Sequence, residues 1–238
     1  MKAIIIAGGR GERLKPLTEK IPKPMVEVSG QPILLHIINH FKEHGIFDFI
    51  VATCFLPDVI TNYFGDGSKF GVNITYTYED PKKPLRTAGA ISISREFIKD
   101  TFIVTSGDIL RDLDIKKMIS FHKKSKSFVT LNVYKRISKD AKSMVTIDKN
   151  HKVISFIERP KENDLKNKSI WVNGSFYIFE PEIFDLIPDN TKLDFGSDIF
   201  PKLLKAKKPL YAYPTTGYFV DIGNLEKLEL ARKTFNKA

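Results

Sequence analysis

The run Lys2-Ala3-Ile4-Ile5-Ile6-Ala7, closed by Gly8-Gly9, constrains the fold more than any other stretch of this sequence. Its β-branched residues show no alternating polar face, which suits a strand buried on both sides at the centre of a parallel sheet. Strand-like runs at 48–53, 72–78 and 101–110 follow, and the helical patterns at 31–45 and 58–64 lie among them. Such alternation implies an α/β fold with a doubly wound, mostly parallel sheet, whose ligand crevice lies beyond the carboxyl ends of the strands. The Gly8 loop stands at one of those ends.

Gly8, Gly9 and Gly11 let backbone N–H groups come close to an anion, and Arg10, Arg13 and Lys23 bring positive charge to the same segment. That combination suits a polyphosphate. A Walker A loop would need Lys-Ser or Lys-Thr directly after the last glycine, where Glu12-Arg13 stands; a dinucleotide fingerprint would need glycine in place of Leu14. Pro16, Pro22 and Pro24 forbid one long helix here, so an extended segment that curls Lys23 back toward the glycines is expected.

A chain of 238 residues can bury a substantial core as one domain, 1–238, possessing at most a small subdomain. The net charge of +10 is spread along the chain without an arginine-rich arm, so anionic small substrates account for it better than nucleic acid. The single Cys54 follows a strand-like run and reads as a buried structural thiol in a reducing compartment. No secretory leader, membrane-spanning run or hexapeptide repeat is legible, so a cytoplasmic protein without a left-handed β-helix is expected. His36, His40 and His44 recur at spacing four along the helix at 31–45, a pattern that reads as a solvated or interfacial face rather than a metal site.

Three later stretches carry chemistry. In 79–91, EDPKKPLRTAGAI, the small residues Thr87, Ala88, Gly89 and Ala90 open a helix and Thr87 is a candidate cap, although an ordinary helix start explains them equally. The strand at 101–110 ends in Ser106-Gly107-Asp108, and a carboxylate there is placed to hold Mg²⁺ against phosphate oxygens or, more commonly, to cap a turn. Asn173-Gly174, inside WVNGSFYIF, reads as a turn or as a pocket lining.

The pattern G-G-x-G-x-R-L-x-P-L-T followed by P-K-P, at Gly8 to Pro24, resembles the signature of the sugar-1-phosphate nucleotidyltransferases, and the likeness extends over almost the whole chain. It implies a Rossmann-like nucleotide-diphospho-sugar transferase fold with a small sugar-binding subdomain, nucleotide-binding mainly in 1–135 and sugar-phosphate-binding mainly in 136–238. By that resemblance Gly8, Gly9, Gly11, Arg13 and Lys23 meet the triphosphate, and Glu79, Leu85, Thr87 and Gly89 the base. Gly107, Glu158, Arg159, Asn173 and Gly174 would meet the sugar phosphate, while Asp108 and Asp221, the latter in GYFVDIG, would hold Mg²⁺. Arg86, Ser106, Ser143 and Arg159 stand where the family more often has glycine, asparagine, glycine and lysine.

The implied reaction is in-line transfer of a nucleoside monophosphate to a sugar 1-phosphate, with Arg13, Lys23, Asp108 and Asp221 carrying the catalysis and no general base required. The segment P-L-x-T-A-G-A points to GTP and mannose 1-phosphate or a related sugar, whereas KPMVEV and PIL also resemble the opening of glucose-1-phosphate cytidylyltransferases, so cytidylyl or thymidylyl transfer to glucose 1-phosphate is the alternative. The expected partners are therefore a nucleoside triphosphate and a sugar 1-phosphate, with no nucleic acid and no membrane; a homo-oligomer is compatible with the resemblance. Two other classes stay open: a non-catalytic regulatory subunit of the same fold, and a glycosyltransferase.

Overall fold

The structure, a computed structural model, describes residues 1–137, 141–161 and 169–235. The chain forms two compact units that interleave in sequence: Met1–Pro84 with Thr105–Asp114 and Gly217–Ala238, and Leu85–Val104 with Ile115–Thr216.

In the first unit the strands Lys2–Ile6, Asp48–Thr53 and Asn73–Tyr78 lie side by side, all parallel, in the register Lys2↔Asp48↔Asn73. Ala3, Ile4 and Ile5 are completely buried, as a central parallel strand requires. The helices Ile33–Glu43 and Pro57–Phe64 make the connections, and Phe41 meets Phe49 edge to face. The first helix begins two residues later than its periodicity suggests, because Gln31-Pro32 pairs with Glu27-Val28 in a short antiparallel ladder. Its histidines differ from expectation: His36 and His40 are buried, bonded through Nε2 to the carbonyls of Val28 (2.7 Å) and Leu113 (2.9 Å). An imidazole satisfied at its polar atoms can enter an apolar face, which spacing alone does not reveal.

The loop after Gly8 also departs from the extended path expected of it. It folds as three 3₁₀ turns, Glu12–Leu14, Leu17–Glu19 and Lys23–Met25, the first two free of proline and the third carrying Pro24 in its first turn, where the missing N–H costs no intrahelical bond. Lys23 nevertheless returns to the glycines: a Cβ on Gly11 would lie 3.3 Å from that of Lys23. The single strand expected at 101–110 is two, Phe102–Ser106 and Ile109–Arg111, and the break falls at Gly107-Asp108. Gly107 donates its N–H to the Ile6 carbonyl at 2.9 Å, and a side chain there would press on that same oxygen. Ile109–Arg111 then pairs antiparallel with Phe219–Asp221.

The second unit places Val153–Glu158, Ser143–Ile147, Ser169–Phe179 and Val129–Ile137 side by side as antiparallel neighbours, and Leu210–Thr215 parallel to the last. Its core is aromatic, with Tyr177 and Phe195 in ring contact with each other and each with Phe179 and Phe200. A hairpin turns over 149–152, its Asp148 carboxylate accepting from the amides of Asn150 and Lys152. Leu210–Thr215 forms a strand only through its long-range partner, and Pro181–Leu186 is a 3₁₀ turn. The class is the expected α/β, with parallel strands at the centre of the first unit and antiparallel additions in the second.

Candidate functional site

The first unit brings four of the expected residues together. Lys23 donates Nζ to Oδ2 of Asp108, and both side chains are mostly buried. Ser106 donates Oγ to the other oxygen, Oδ1, so both carboxylate oxygens are held. Asp221 sits on the adjoining strand, opposite Ile109, and the Ile222 amide donates to the Asp108 carbonyl at 3.0 Å. Asp221 therefore pairs with the residue next to Asp108 at the end of one short ladder. Arg13 reaches the same place: a Cβ on Gly223 would lie 3.3 Å from Nη2 of Arg13 and 3.6 Å from Oδ1 of Asp221. Arg10, by contrast, is tied to the Pro81 carbonyl at 2.9 Å and lies over the Phe55 ring.

The three loop glycines are bare for different reasons. A Cβ on Gly8 would come within 2.9 Å of the Cys54 Cβ and 3.2 Å of Oε1 of Glu79, and Gly11 has φ +64° with Thr18 Cγ2 at 2.9 Å. Packing and backbone geometry demand glycine at both. Gly9 is exposed and its Cβ would meet nothing within 4 Å, so nothing within the fold requires glycine there. Cys54 is buried as expected; burial first, then the neighbouring Glu79, pushes its thiol pKa up and makes it a poor nucleophile. Glu79 itself is nearly buried beside Gly8.

The donor set consists of hard carboxylate oxygens, Asp108 from the turn before Ile109–Arg111 and Asp221 from the strand paired with it, which fits a divalent cation that keeps positions for phosphate and water. Those two residues would hold it.

In the second unit, Leu85, not Thr87, stands at the cap position of the helix Arg86–Ser92. Thr87 instead donates Oγ1 to Oδ2 of Asp194 at 2.7 Å and accepts from the Phe195 amide. The amides of Ala88 and Gly89 both donate to the Leu193 carbonyl, and a Cβ on Gly89 would collide with the Thr191 carbonyl at 2.3 Å. The small residues at 87–90 thus serve close packing within the unit. Arg86 has φ +63°, so its backbone keeps the left-handed form natural to glycine.

Glu158 faces Gly196, whose Cβ would lie 2.4 Å from its Oε2. Burial, and next the Asp194 charge, push the Glu158 carboxyl up to about 7, against the pull of Arg159 and Lys142. Asn173 donates Nδ2 to the hydroxyl of the buried Tyr177 at 2.7 Å, and its amide donates to Oγ of Ser143. The space beside Gly174 is filled by the Asn132 side chain. Arg159 is exposed.

A family model described as Nucleotidyl transferase matches residues 2–237. The chain belongs to that family. A relative from Synechocystis sp. named UTP–glucose-1-phosphate uridylyltransferase is 35% identical over 94% of this chain and 61% of its own length. One from Mycobacterium tuberculosis named mannose-1-phosphate guanylyltransferase is 32% identical with the same coverage. The chain thus spans about three fifths of the curated relatives it matches. Among solved structures, HddC from Yersinia pseudotuberculosis complexed with GMP-PN superimposes with TM-score 0.82 at 28% identity, covering 99% of both chains.

Within this member of the family, the structure adds groups that the sequence does not single out. Ser106, noted there only as a departure, supplies the hydroxyl that orients Asp108. Asp194 anchors Thr87 and caps the turn Phe195–Ile199 through the Gly196 amide. The aspartate that follows Leu193 and precedes an apolar turn was a legible cap signal.

Proposed function

We propose that this chain transfers a nucleoside monophosphate from a nucleoside triphosphate to a sugar 1-phosphate, giving a nucleotide sugar and pyrophosphate. GTP and mannose 1-phosphate, or a related sugar phosphate, are the favoured pair. The observation that carries the reading is the convergence of Arg13, Lys23, Asp108 and Asp221 in one unit, two cations against two carboxylates beside a glycine loop.

A phosphate oxygen of the sugar 1-phosphate attacks the α-phosphorus; the new P–O bond forms as the Pα–O bond to the β-phosphate breaks, and its electron pair leaves on pyrophosphate. The nucleophile is already anionic, so no side chain need take its proton. Mg²⁺ held by Asp108 and Asp221 would neutralise charge on the triphosphate. Lys23, matched to a carboxylate oxygen, suits a phosphate oxygen in its place, and Ser106 keeps Asp108 oriented. Arg13 offers a second, forked cation. Gly9 leaves the loop open to close approach by phosphate. Within one transferase domain, 1–135 would take mainly the nucleotide and 136–238 mainly the sugar phosphate, with Glu158, Arg159 and Asn173 on the sugar side. We place the reaction in the cytoplasm, where both substrates are made; no helix among the described residues is long and apolar enough to cross a membrane.

Glu79 favours guanine: a carboxylate only accepts, and guanine presents two adjacent donors, N1–H and the 2-amino group. The GMP-PN complex of HddC and the name of the mycobacterial relative point the same way. The Synechocystis relative supports a second reading, uridylyl transfer to glucose 1-phosphate.

The test is Mg²⁺-dependent pyrophosphate release across GTP, UTP, CTP, dTTP and ATP, each with mannose 1-phosphate and with glucose 1-phosphate, with Asp108→Asn as control. Release that needs both substrates, is fastest with GTP, and vanishes in a folded Asp108→Asn variant is expected. Faster release with UTP would replace the guanine reading, and full turnover in the variant would remove Asp108 from the metal role.

A further inference from the structure

His40, Glu43 and His44 form the only group of three or more histidine, cysteine or acidic side chains among the described residues whose ligand atoms converge, all within 4.8 Å of one another. We infer that this trio at the carboxyl end of the helix Ile33–Glu43 is a binding site for a zinc-class divalent cation. It is separate in residues and in chemistry from the Asp108–Asp221 pair.

The helix supplies the first requirement. Positions i, i+3 and i+4 lie on one face, so His40, Glu43 and His44 rise together toward the helix end. The second requirement is that each imidazole turn a deprotonated nitrogen to the metal. His40 engages the Leu113 carbonyl through Nε2 at 2.9 Å, and a carbonyl can only accept, so in the neutral ring that a metal binds the proton stands on Nε2 and the lone pair on Nδ1. His44 engages the His40 carbonyl through Nδ1 at 2.9 Å, which by the same logic leaves the lone pair on Nε2. Each histidine thus has the backbone-carbonyl partner that metal-bound imidazoles typically have, and that partner selects the ligating nitrogen.

The spacing fits as well. His40 Nδ1 stands 3.7 Å from Oε2 of Glu43. A tetrahedral ion with bonds of about 2.0–2.1 Å holds its ligand atoms about 3.3 Å apart, so small side-chain rotations close the set. Glu43 is exposed and His44 half-exposed, which gives them that freedom and gives the ion a path in. The nearest cationic side chain in sequence, Lys42, donates Nζ to the Phe70 carbonyl. Two imidazoles and one carboxylate select zinc, copper or nickel over magnesium, and leave a fourth position for water. Through Leu113, the buried ligand His40 also ties such an ion to the segment Thr105–Asp114 that carries Asp108.

The experiment uses the untagged full chain, stripped of metal and then kept in excess Mg²⁺. Titration with Co²⁺ is expected to give visible d–d absorption of four-coordinate intensity, saturating at one equivalent and displaced by Zn²⁺. His44→Ala and Glu43→Gln, both on the solvent side and checked for helix content, are expected to weaken Co²⁺ binding about tenfold or more, and Asp221→Asn to leave it unchanged. Zn²⁺ is expected to raise the melting temperature of the parent but not of His44→Ala. Absorption absent from the parent, or persisting at parent affinity in either helix variant, overturns the site. Loss of it in Asp221→Asn alone reassigns the ion to the aspartate pair and equally overturns it.

Discussion

Replacing Glu158 with glutamine should stabilise this protein above neutral pH and leave it unchanged near pH 5. The Glu158 carboxyl is pushed from its ordinary 4.5 to about 7, first by burial and then by the Asp194 charge. Between those values the folded chain binds a proton that the unfolded chain has released, so stability falls as pH rises through the window and stays lowered above it. The full step corresponds to about 3 kcal/mol; Glu158 keeps part of its surface in water, and screening reduces this to about 1–1.5 kcal/mol. Glutamine keeps the shape against Gly196, whose absent Cβ would lie 2.4 Å from Oε2, but has no charge to desolvate. Urea denaturation of parent and Glu158→Gln at pH 5 and pH 8 measures the effect directly. The variant is expected to gain about 1–1.5 kcal/mol at pH 8 and close to nothing at pH 5. An equal difference at both pH values would refute burial and Asp194 as the cause, because neither acts on a neutral carboxyl.

Three further outcomes follow from the same geometry. Arg86→Gly should raise stability by about 0.5–1 kcal/mol, since relief of an arginine at φ +63° exceeds the added freedom of the unfolded chain; lower stability in urea would show that the arginine side chain compensates for its backbone. Gly8→Ala should cost about 1–3 kcal/mol through its contact with Cys54, whereas Gly9→Ala should stay within about 0.5 kcal/mol and instead weaken triphosphate binding; calorimetric titration with a non-hydrolysable triphosphate separates the two. Lys23→Ala should lower kcat/KM for pyrophosphate release about 10²–10³-fold, with circular dichroism unchanged. A loss under tenfold would remove Lys23 from charge stabilisation.

The elements that the sequence shows best are those whose pattern is local. Asp48–Thr53 forms over the residues its apolar run suggests, and Lys2–Ile6 lacks only the last residue of its run. The hairpin at 149–152 follows from the turn chemistry of Asp148 and Asn150. Elements decided by distant partners were not legible. Leu210–Thr215 becomes a strand by pairing with Val129–Ile137, some eighty residues earlier. Thr87 reads as a cap, but its hydroxyl is taken by Asp194, more than a hundred residues away.

The candidate site divides in the same manner. Residue type and order in the sequence identify the glycine loop, the two cations and the two aspartates, because a polyphosphate needs those groups whatever the scaffold. Which atoms meet is a matter of tertiary structure. Lys23 pairs with Asp108 across 85 residues, Ser106 takes the second oxygen, and Asp221 arrives on the neighbouring strand of a three-residue ladder. The helix at Ile33–Glu43 shows the limit most clearly: its periodicity is written in the sequence, but whether His36 and His40 face water or core depended on the carbonyls of Val28 and Leu113. A side chain's type sets what it can bond; only the folded backbone decides which acceptors stand within reach and whether water competes for them.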